Sequence, residues 1–363
     1  MKRRMFLRLT GALAVLGLPW VSHAGQPRIA EDAESAPPVG SDNQGSNDGE
    51  VWEGEAQSTV IKVVGVGGAG GNAVEHMIRE GCRGIDYICC NTDALALTRS
   101  SAPVKLQLGS GLGAGGNTEI ARELARLDRS RIAETLAGAH MVFITAGLGG
   151  GTGTGAAPVV AEVARELGIL TVAVVTKPFD YEGKRRRIAE DGAVDLARHV
   201  DALIAIPNEK LVEAFGDEVS MREAFLASDN LVKAAITGIV ETFNKPGLVG
   251  VDFEDVRYVI GERHGRAAVS SATANGIDRA RRATDAAMTF PLMDAFDIGG
   301  KCNVLVSMTG SSSLGLKDYK EVLRTIRQST SPEATVIAGA VFDDSMGDEL
   351  RVTVVAFGIP GRA

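Results

Sequence analysis

The stretch Ala146-Gly147-Leu148-Gly149-Gly150-Gly151-Thr152-Gly153-Thr154-Gly155-Ala156-Ala157-Pro158 decides how the rest of the chain is understood. The apolar run 141–144 before it predicts a buried strand, and the run 159–165 after it has helical spacing. Glycines without Cβ let backbone amides approach a phosphate closely, and the dipole of the following helix favours negative charge there. A flexible surface loop is the plain alternative, but five glycines and two threonines within 149–155 favour a phosphate-binding loop.

The run 149–155 also carries a resemblance to a known family. Its sequence, GGGTGTG, matches the signature of the tubulin-type GTPases, and in this context the chain resembles the bacterial FtsZ family. No GxxxxGK[ST] pattern precedes a helix, so the chain is not a P-loop NTPase. The resemblance assigns seven residues to the phosphates of GTP or GDP: Gly149, Gly150, Gly151, Thr152, Gly153, Thr154 and Gly155.

Size and composition narrow the classes of protein. The 363 residues, 45% hydrophobic and 23% charged, suffice for two ordinary domains. The net charge of −8 gives no electrostatic footprint for nucleic acid, so we predict no nucleic-acid partner. Four cysteines make no disulfide framework and indicate buried, reduced thiols, and five scattered histidines without HExxH offer no zinc site.

Residues 1–24 differ from the rest of the chain. A basic start with paired arginines, an apolar run over 9–21 and the end Ser22-His23-Ala24 resemble a twin-arginine export signal. Three hypotheses stay open: export of the folded protein, a segment that tethers it to the inner face of the membrane, or a misassigned start. Residues 25–58 carry eight acidic residues against one arginine, which predicts a disordered acidic linker.

A second glycine loop follows the first strand of the globular part, which is predicted over 60–64. Gly65, Gly67 and Gly70 form the GxGxxG pattern, so a dinucleotide oxidoreductase is a rival class. The pattern alone is a weak signal, and such an enzyme has no use for the loop at 147–155.

The FtsZ resemblance gives this second loop a different role. It implies that Asn72 reaches the base and that Asp93 lies near the γ-phosphate. The residues it assigns to the phosphates are Gly67, Gly68, Ala69, Gly70 and Gly71.

The segment 108–119 resembles the γ-phosphate-sensing loop of the family, shortened by about four residues between Gly111 and Leu112. The residues that remain for phosphate contact are Gly113, Ala114, Gly115 and Asn117. The shortened loop is therefore a departure from the family pattern, and it bears on how the loop responds to hydrolysis.

Two charged residues follow the apolar, β-rich run 169–175, which is typical of a parallel sheet covered on both faces. Glu182 and Arg186 have the i, i+4 spacing of one helical face, and a surface salt bridge is the plain interpretation. The resemblance assigns Glu182 to the ribose and Arg186 to the phosphates. We favour the nucleotide-binding role of these two residues over a surface salt bridge, because ligands bind at the carboxyl ends of such strands.

A long helix is predicted over 221–245, opened by a capping box at Ser220 and Glu223. It would be roughly 35 Å long, and most of its apolar stripe must be core. Phe225 and Asp229 lie one turn apart at its start, where a ring could stack on guanine and a carboxylate could accept from N1–H and N2–H.

Asp252 and Asp255 follow this helix. The plain interpretation is that their negative charges stabilise the N-terminus of the next helix. They match the family's catalytic pattern N-x-D-x-x-D, with Gly250 in place of the asparagine. By the resemblance these aspartates enter the nucleotide site of the next subunit and polarise water. The missing amide indicates slow hydrolysis.

The rest of the chain resembles the second domain of the family. Helices are predicted over 277–288 and 317–327, and strands over 303–308, 335–342 and 351–357. The family's glycine-containing turn near 269–272 is absent. We also expect no C-terminal peptide of the kind that docks membrane-anchoring partners, since the sequence ends at Ala363.

These patterns together predict an α/β protein: a Rossmann-like, tubulin/FtsZ-type GTPase domain over 59–220, the central helix 221–245 and a smaller α+β domain over 246–358. The implied function is GTP-dependent, head-to-tail polymerisation of the cell-division type, in the cytoplasm at the inner membrane face. Mg²⁺ comes with the nucleotide. The partners are further copies of the chain and other subunits of its family. A non-hydrolysing structural paralogue is the alternative.

Overall fold

The computed structural model describes residues 59–215, 220–244, 247–261, 265–289 and 302–359. The predicted signal-like segment 1–24 and the acidic linker 25–58 lie outside the described residues. In the described part of the chain, no helix combines the length and apolar character needed to cross a membrane.

Eleven strands and eleven α-helices are found among these residues. The strands are β1 Ile61–Val66, β2 Asp86–Asn91, β3 Val104–Gln107, β4 Met141–Gly147, β5 Leu170–Lys177, β6 Ala202–Pro207, β7 Gly247–Val249, β8 Gly265–Asn275, β9 Asn303–Gly310, β10 Val336–Phe342 and β11 Glu349–Ile359. The helices are α1 Gly67–Arg79, α2 Ala94–Thr98, α3 Thr118–Leu127, α4 Arg129–Leu136, α5 Thr152–Glu166, α6 Lys184–Leu196, α7 Asn208–Phe215, α8 Met221–Asn244, α9 Phe253–Gly261, α10 Arg279–Met288 and α11 Leu316–Ser329.

All strands join one sheet in the order β3-β2-β1-β4-β5-β6-β8-β11-β9-β10-β7. The first six are parallel, and β1 lies between β2 and β4. Their apolar runs are buried because helices cover both faces of a parallel sheet. The predicted Rossmann-like α/β architecture is therefore confirmed.

The remaining strands form a mixed sheet. β8 pairs in parallel with β6 over three residue pairs, and β11 runs antiparallel to both β8 and β9. This is the predicted α+β region. The sequence lacks the family's glycine-containing turn near 269–272, and strand β8 accordingly runs through these residues without interruption. A single sheet contains strands from both sides of the predicted domain limits at 220 and 245. These limits remain a prediction.

Helix α8 runs along both regions and ends at Asn244, one residue short of its predicted end. Ser220 and Glu223 form the predicted capping box, with the Ser220 amide 3.0 Å from Glu223 Oε2. Leu231 and Ile236 are fully buried, so the stripe of this helix is core as expected.

The two glycine motifs begin helices instead of preceding them. Helix α1 starts at Gly67, inside the first motif, and the helix predicted after the central motif starts at Thr152, inside that motif. Each motif therefore supplies the first helical turn, whose amides lack partners within the helix. The N–H groups at the start of α1 and α5 therefore lie in ordered helical turns, at the place where the sequence predicts phosphate binding.

Candidate functional site

The two glycine motifs lie side by side at one edge of the sheet. Strands β1 and β4 are neighbours in parallel register, with Val66 opposite Ala146, and each leads directly into its motif. A Cβ on Gly67 would lie 2.9 Å from the amide nitrogen of Gly153. The N-termini of α1 and α5 therefore converge on one point, which concentrates positive potential there.

Several of the glycines are required by packing. A Cβ on Gly70 would collide with the carbonyl oxygen of Thr145, and one on Gly155 would collide with that of Thr118. A Cβ on Gly153 would collide with the carbonyl oxygen of Gly147. Neighbouring backbone fills the space where each Cβ would lie, so these three positions need glycine for packing.

Other glycines have no packing reason to be glycine. An ideal Cβ on Gly68 or Gly150 would meet no atom within 4 Å, and neither residue has a left-handed φ. On Gly71 a Cβ would meet only Cys89 Sγ, at an ordinary 4.0 Å. The missing side chains leave open space above the amides, into which a phosphate would fit.

The two threonines of the central motif have different surroundings. Thr152 Oγ1 lies 2.7 Å from Thr92 Oγ1 and is partly exposed. Thr154 is buried, and its Oγ1 accepts a hydrogen bond from the Gly149 amide at 2.8 Å. Thr154 therefore braces the loop, while Thr152 stays within reach of a ligand.

Asp93 and Asn117 act as helix N-caps. Asp93 Oδ1 accepts from the Leu95 amide at 2.9 Å and opens α2. Asn117 Oδ1 accepts from the Glu119 amide at 2.9 Å and opens α3. The Asn117 backbone lies against the central motif, since a Cβ on Gly151 would be 3.0 Å from its amide nitrogen.

The shortened loop 109–117 is fixed to its neighbour by backbone hydrogen bonds. The Ala94 amide donates to Gly111 O at 3.0 Å, and the Gly113 amide donates to Thr92 O at 2.8 Å. Ala114 is buried, whereas Gly113 and Gly115 have open space around them. The predicted phosphate-side residues of this loop thus lie beside both glycine motifs.

A cavity of about 370 Å³ opens next to the first motif, between α1, the ends of β4 and β5, and α8. It brings together five of the residues predicted to bind nucleotide, namely Gly68, Ala69 and Asn72 at the first motif and Phe225 and Asp229 on α8. Its other lining residues are Ala73, Thr145, Ala146, Thr176, Asn208, Ser228 and Val232.

Asp229 is the acidic residue of this cavity. No hydrogen bond or ion pair joins its carboxylate to any residue that the structure describes. Burial raises the pKa of Asp229 to about 6, and the more distant charge of Arg79 opposes the shift only in part. A half-buried, unpaired carboxylate lacks the donors that would compensate its desolvation, and a ligand with N–H groups would supply them.

Asn208 and Ser228 also line the cavity, and sequence reasoning missed them. Both are buried, and Ser228 Oγ donates to Asn208 Oδ1 at 3.1 Å. Asn208 is the first residue of α7, immediately after β6. Its position at the carboxyl end of a parallel strand was the available signal.

Glu182 and Arg186 do not face each other across one helical turn, so the i, i+4 interpretation is wrong. Glu182 closes a 3₁₀ turn, Asp180–Glu182, and α6 begins only at Lys184. Glu182 pairs with Arg185 at 2.9 Å, and Arg186 pairs with Asp180 at 2.8 Å. Neither residue lines the cavity, although both follow β5 at the same edge.

Asp252 and Asp255 cap α9 reciprocally. The Asp252 amide donates to Asp255 Oδ2 at 3.1 Å, and the Asp255 amide donates to Asp252 Oδ1 at 2.8 Å. The plain interpretation, favourable carboxylates at a helix start, therefore holds within one chain. Both side chains are exposed, and their outer oxygens face solvent.

The acidic pair lies at the opposite edge of the sheet from the glycine motifs. The Phe253 ring, between the two aspartates, packs 6.2 Å from the His140 ring, and His140 directly precedes β4. The central glycine motif follows the other end of β4. Seven residues of strand separate these points by about 20 Å.

A metal centre built from side chains is not found in the part of the chain that the structure describes: no three His, Cys, Asp or Glu residues are grouped to hold an ion there. Three of the four cysteines, Cys89, Cys90 and Cys302, are buried, and none of the four forms a disulfide.

Comparison with known proteins agrees with this geometry. Residues 60–216 match the model of the tubulin/FtsZ family GTPase domain, and residues 265–360 match that of the FtsZ family C-terminal domain. The cell division protein FtsZ of Pseudomonas aeruginosa is 50% identical over 312 residues, covering 85% of this chain and 79% of the relative. That of Coxiella burnetii is 48% identical over 319 residues, covering 86% and 82%.

A solved structure gives the same result. The empty FtsZ dimer of M. jannaschii has a TM-score of 0.79 and 40% identity, covering 84% of this chain and 89% of that one. The matches agree with two features of the site: the adjacent glycine motifs at one edge of the sheet, and the cavity that contains the unpaired Asp229 carboxylate. The chain belongs to the tubulin/FtsZ family of guanine-nucleotide-binding GTPases.

Proposed function

We propose that this GTPase polymerises head to tail into filaments of the cell-division type and completes its active site between adjacent subunits. The observation that carries the proposal is the separation of the nucleotide cavity from Asp252 and Asp255, at opposite edges of one sheet. The two halves cannot meet within one chain. Stacking one subunit's acidic edge on the next subunit's nucleotide edge brings them together.

The phosphates of GTP bind at the converging helix N-termini. The open space above Gly68, Gly71 and Gly150 supports this assignment, as do the unpaired amides of the first turns of α1 and α5. Thr152 adds a hydroxyl at the same point. The loop with Gly113 and Gly115 closes the phosphate side, and we place the γ-phosphate there, near Asp93.

The base binds in the cavity of 370 Å³. Phe225 offers a half-exposed ring for stacking, and the Asp229 carboxylate accepts hydrogen bonds from guanine N1–H and N2–H. Adenine has an acceptor at N1 and only a C–H at position 2, where guanine has its N1–H and N2–H donors, so this carboxylate selects guanine. Asn72 and Asn208 complete the polar lining.

The ribose and the metal ion lie, in our proposal, at the same edge of the sheet as the glycine motifs. Glu182 and Arg186 lie at the same edge of the sheet, and we infer that they reach the ribose and the phosphates once their pairs with Arg185 and Asp180 open. Mg²⁺ prefers phosphate oxygens and water over an all-protein cage, so we infer that it arrives with GTP. Bound there, it neutralises charge that develops on the phosphates.

Hydrolysis requires a water positioned by the neighbour's Asp252 and Asp255. Their capping bonds orient both carboxylates at a helix start, with free oxygens toward solvent. A preformed geometry of this kind contributes to catalysis because it needs no reorganisation during the reaction. Gly250, where the family pattern has asparagine, removes one polar contact and slows turnover.

We propose that residues 1–24 link the protein to the membrane. Their basic start and apolar run would tether the filament to its inner face. The acidic linker 25–58 would supply reach. Detection of a mature N-terminus at Gly25 in a periplasmic fraction would contradict this tether.

The rate of GTP hydrolysis per subunit, measured against protein concentration, tests the main proposal. We expect the rate to rise above a critical concentration and to vanish in the Asp252→Ala/Asp255→Ala variant. A rate independent of concentration would place the whole active site in one chain. GTP binding without turnover at any concentration would replace the proposal with a structural, non-hydrolysing paralogue.

A further inference from the structure

Phe225 is the aromatic residue of the base cavity, and its ring is 47% exposed. It stands on the first turns of α8, where one face of the ring is open to the cavity. An exposed phenylalanine on a helix surface moves between staggered rotamers unless a neighbour holds it. A stacking platform that is fixed before binding costs less entropy than one that must be ordered by the ligand.

Phe179 supplies that hold. Its ring meets the Phe225 ring edge to face, with centroids 5.8 Å apart and planes at 76°. This is a favourable arrangement for two aromatic rings, worth about 0.5–1.5 kcal/mol beyond area burial. Phe179 itself is only 3% exposed and does not line the cavity.

A third ring packs on Phe179. Tyr181 stacks on it with centroids 5.4 Å apart and planes at 7°, and Tyr181 is 72% exposed. The Phe179 amide donates to Glu182 Oε1 at 3.0 Å. The buried ring is therefore anchored by its backbone and by its neighbours, while the ring that it supports faces the cavity.

We propose that Phe179 is a positioning residue for the nucleotide base: it holds the Phe225 ring in the orientation that stacks on guanine. The inference rests on the proposed function of the cavity. It also links the loop after β5 to α8, because Phe179 belongs to the first and Phe225 to the second. Phe179 acts on GTP and GDP binding only through Phe225.

A double-mutant cycle on the full chain tests the proposal, with GDP as the probe because it is not hydrolysed. We expect Phe179→Leu to weaken GDP binding about 3- to 10-fold, the range that corresponds to one aromatic pair. Phe225→Leu weakens it at least as much. The Phe179→Leu/Phe225→Leu double variant should bind GDP as Phe225→Leu does, with no further loss.

Two further measurements separate positioning from a general structural role. Phe179→Met also removes the ring but fills the site with a longer, flexible side chain, so it should reproduce the loss of affinity while the unfolding midpoint stays closer to that of the unmodified chain. The matched control Tyr181→Leu keeps the Phe179–Phe225 contact and should change GDP affinity less than 3-fold. In Phe179→Leu, KM for GTP should rise while kcat at saturating GTP is unchanged.

Two outcomes would overturn the inference. Multiplicative losses in the double variant would mean that Phe179 acts independently of Phe225, and an unchanged affinity in Phe179→Leu would mean that it does not act at all. Failure of the proposed function has a different signature: the unmodified chain would then bind GDP no better than ADP.

Discussion

The Phe253 ring packs against the His140 ring, with centroids 6.2 Å apart and planes at 74°. This contact fixes the start of α9 at the amino end of β4, while the central glycine motif occupies the carboxyl end. The polarity of a single strand therefore separates the two halves of the site. Any reaction that needs both halves needs two copies of the chain.

Mixing two defective variants should restore activity. Asp252→Ala/Asp255→Ala keeps the nucleotide cavity and lacks the acidic pair, whereas Asp229→Ala keeps the acidic pair and binds GTP poorly. When they stack, an intact cavity meets an intact pair, so we expect the GTPase rate of the mixture to exceed the sum of the separate rates. The measurement is phosphate release at limiting GTP. A rate that is merely additive would argue against a shared site.

Gly250→Asn should accelerate hydrolysis. An ideal Cβ at Gly250 would meet no atom within 4 Å, and its φ is not left-handed, so a side chain fits without strain. One added hydrogen bond to a charged group is worth about tenfold or more in rate. The control is Gly250→Ala, which adds the Cβ without the amide and should leave the rate unchanged. Equal rates in the two variants would contradict the proposed effect of Gly250 on turnover.

GDP affinity should depend on pH through Asp229. Burial raises the pKa of its carboxyl to about 6 in the free protein, and only the ionised form accepts from both guanine N–H groups. Affinity should be constant above pH 7 and fall about tenfold between pH 7 and pH 5. Titrations with GDP across that range check this. Asp229→Asn, which cannot ionise, should bind weakly with a flat profile.

The same carboxylate should destabilise the nucleotide-free fold. A folded-state pKa above the unfolded value means that ionisation favours the unfolded chain, so the penalty is complete above pH 6 and fades as pH falls toward 4. Asp229→Asn should therefore raise the free energy of unfolding by about 1–2 kcal/mol at pH 8 and by much less at pH 4.5. Urea unfolding at the two pH values is the test. Equal gains at both would point to a cause other than charge.

Gly68→Ala and Gly155→Ala should fail in opposite ways. Gly155 has the carbonyl oxygen of Thr118 where a Cβ would lie, so alanine there should cost about 1–3 kcal/mol of stability. Gly68 has open space and lies in the first turn of α1, where alanine is a better helix former. Its variant should unfold at an equal or higher temperature yet bind GDP on the order of tenfold more weakly. Normal GDP binding by Gly68→Ala would show that no phosphate comes close to it.

These glycines also show how far the sequence alone reached. The motifs predicted two phosphate-binding loops, each directly after a strand. The two strands, β1 and β4, are present, and both motifs follow them at the same edge of the sheet. What the pattern could not reveal is which glycine serves a ligand and which serves a neighbouring backbone. Gly68 and Gly155 are identical letters in similar motifs, and only the position of Thr118 distinguishes them.

The misassigned residues have equally local causes. The interpretation of Glu182 and Arg186 assumed a helix that begins two residues later, after a 3₁₀ turn. Asn208 was missed because no sequence motif marks it; it is the first residue after strand β6, which ends at Pro207. The long helix α8 was predicted well because its cap and its stripe are both encoded within 24 consecutive residues.

Strands β1, β4 and β5 run from the edge that carries His140 to the edge that carries the glycine motifs. When subunits are joined through those two edges, a pulling force on the filament passes lengthwise along the strands. The ladder hydrogen bonds between parallel neighbours are then loaded in shear and resist together, whereas force applied across the strands would open them one after another. The direction of the sheet makes each subunit a stiff link under tension.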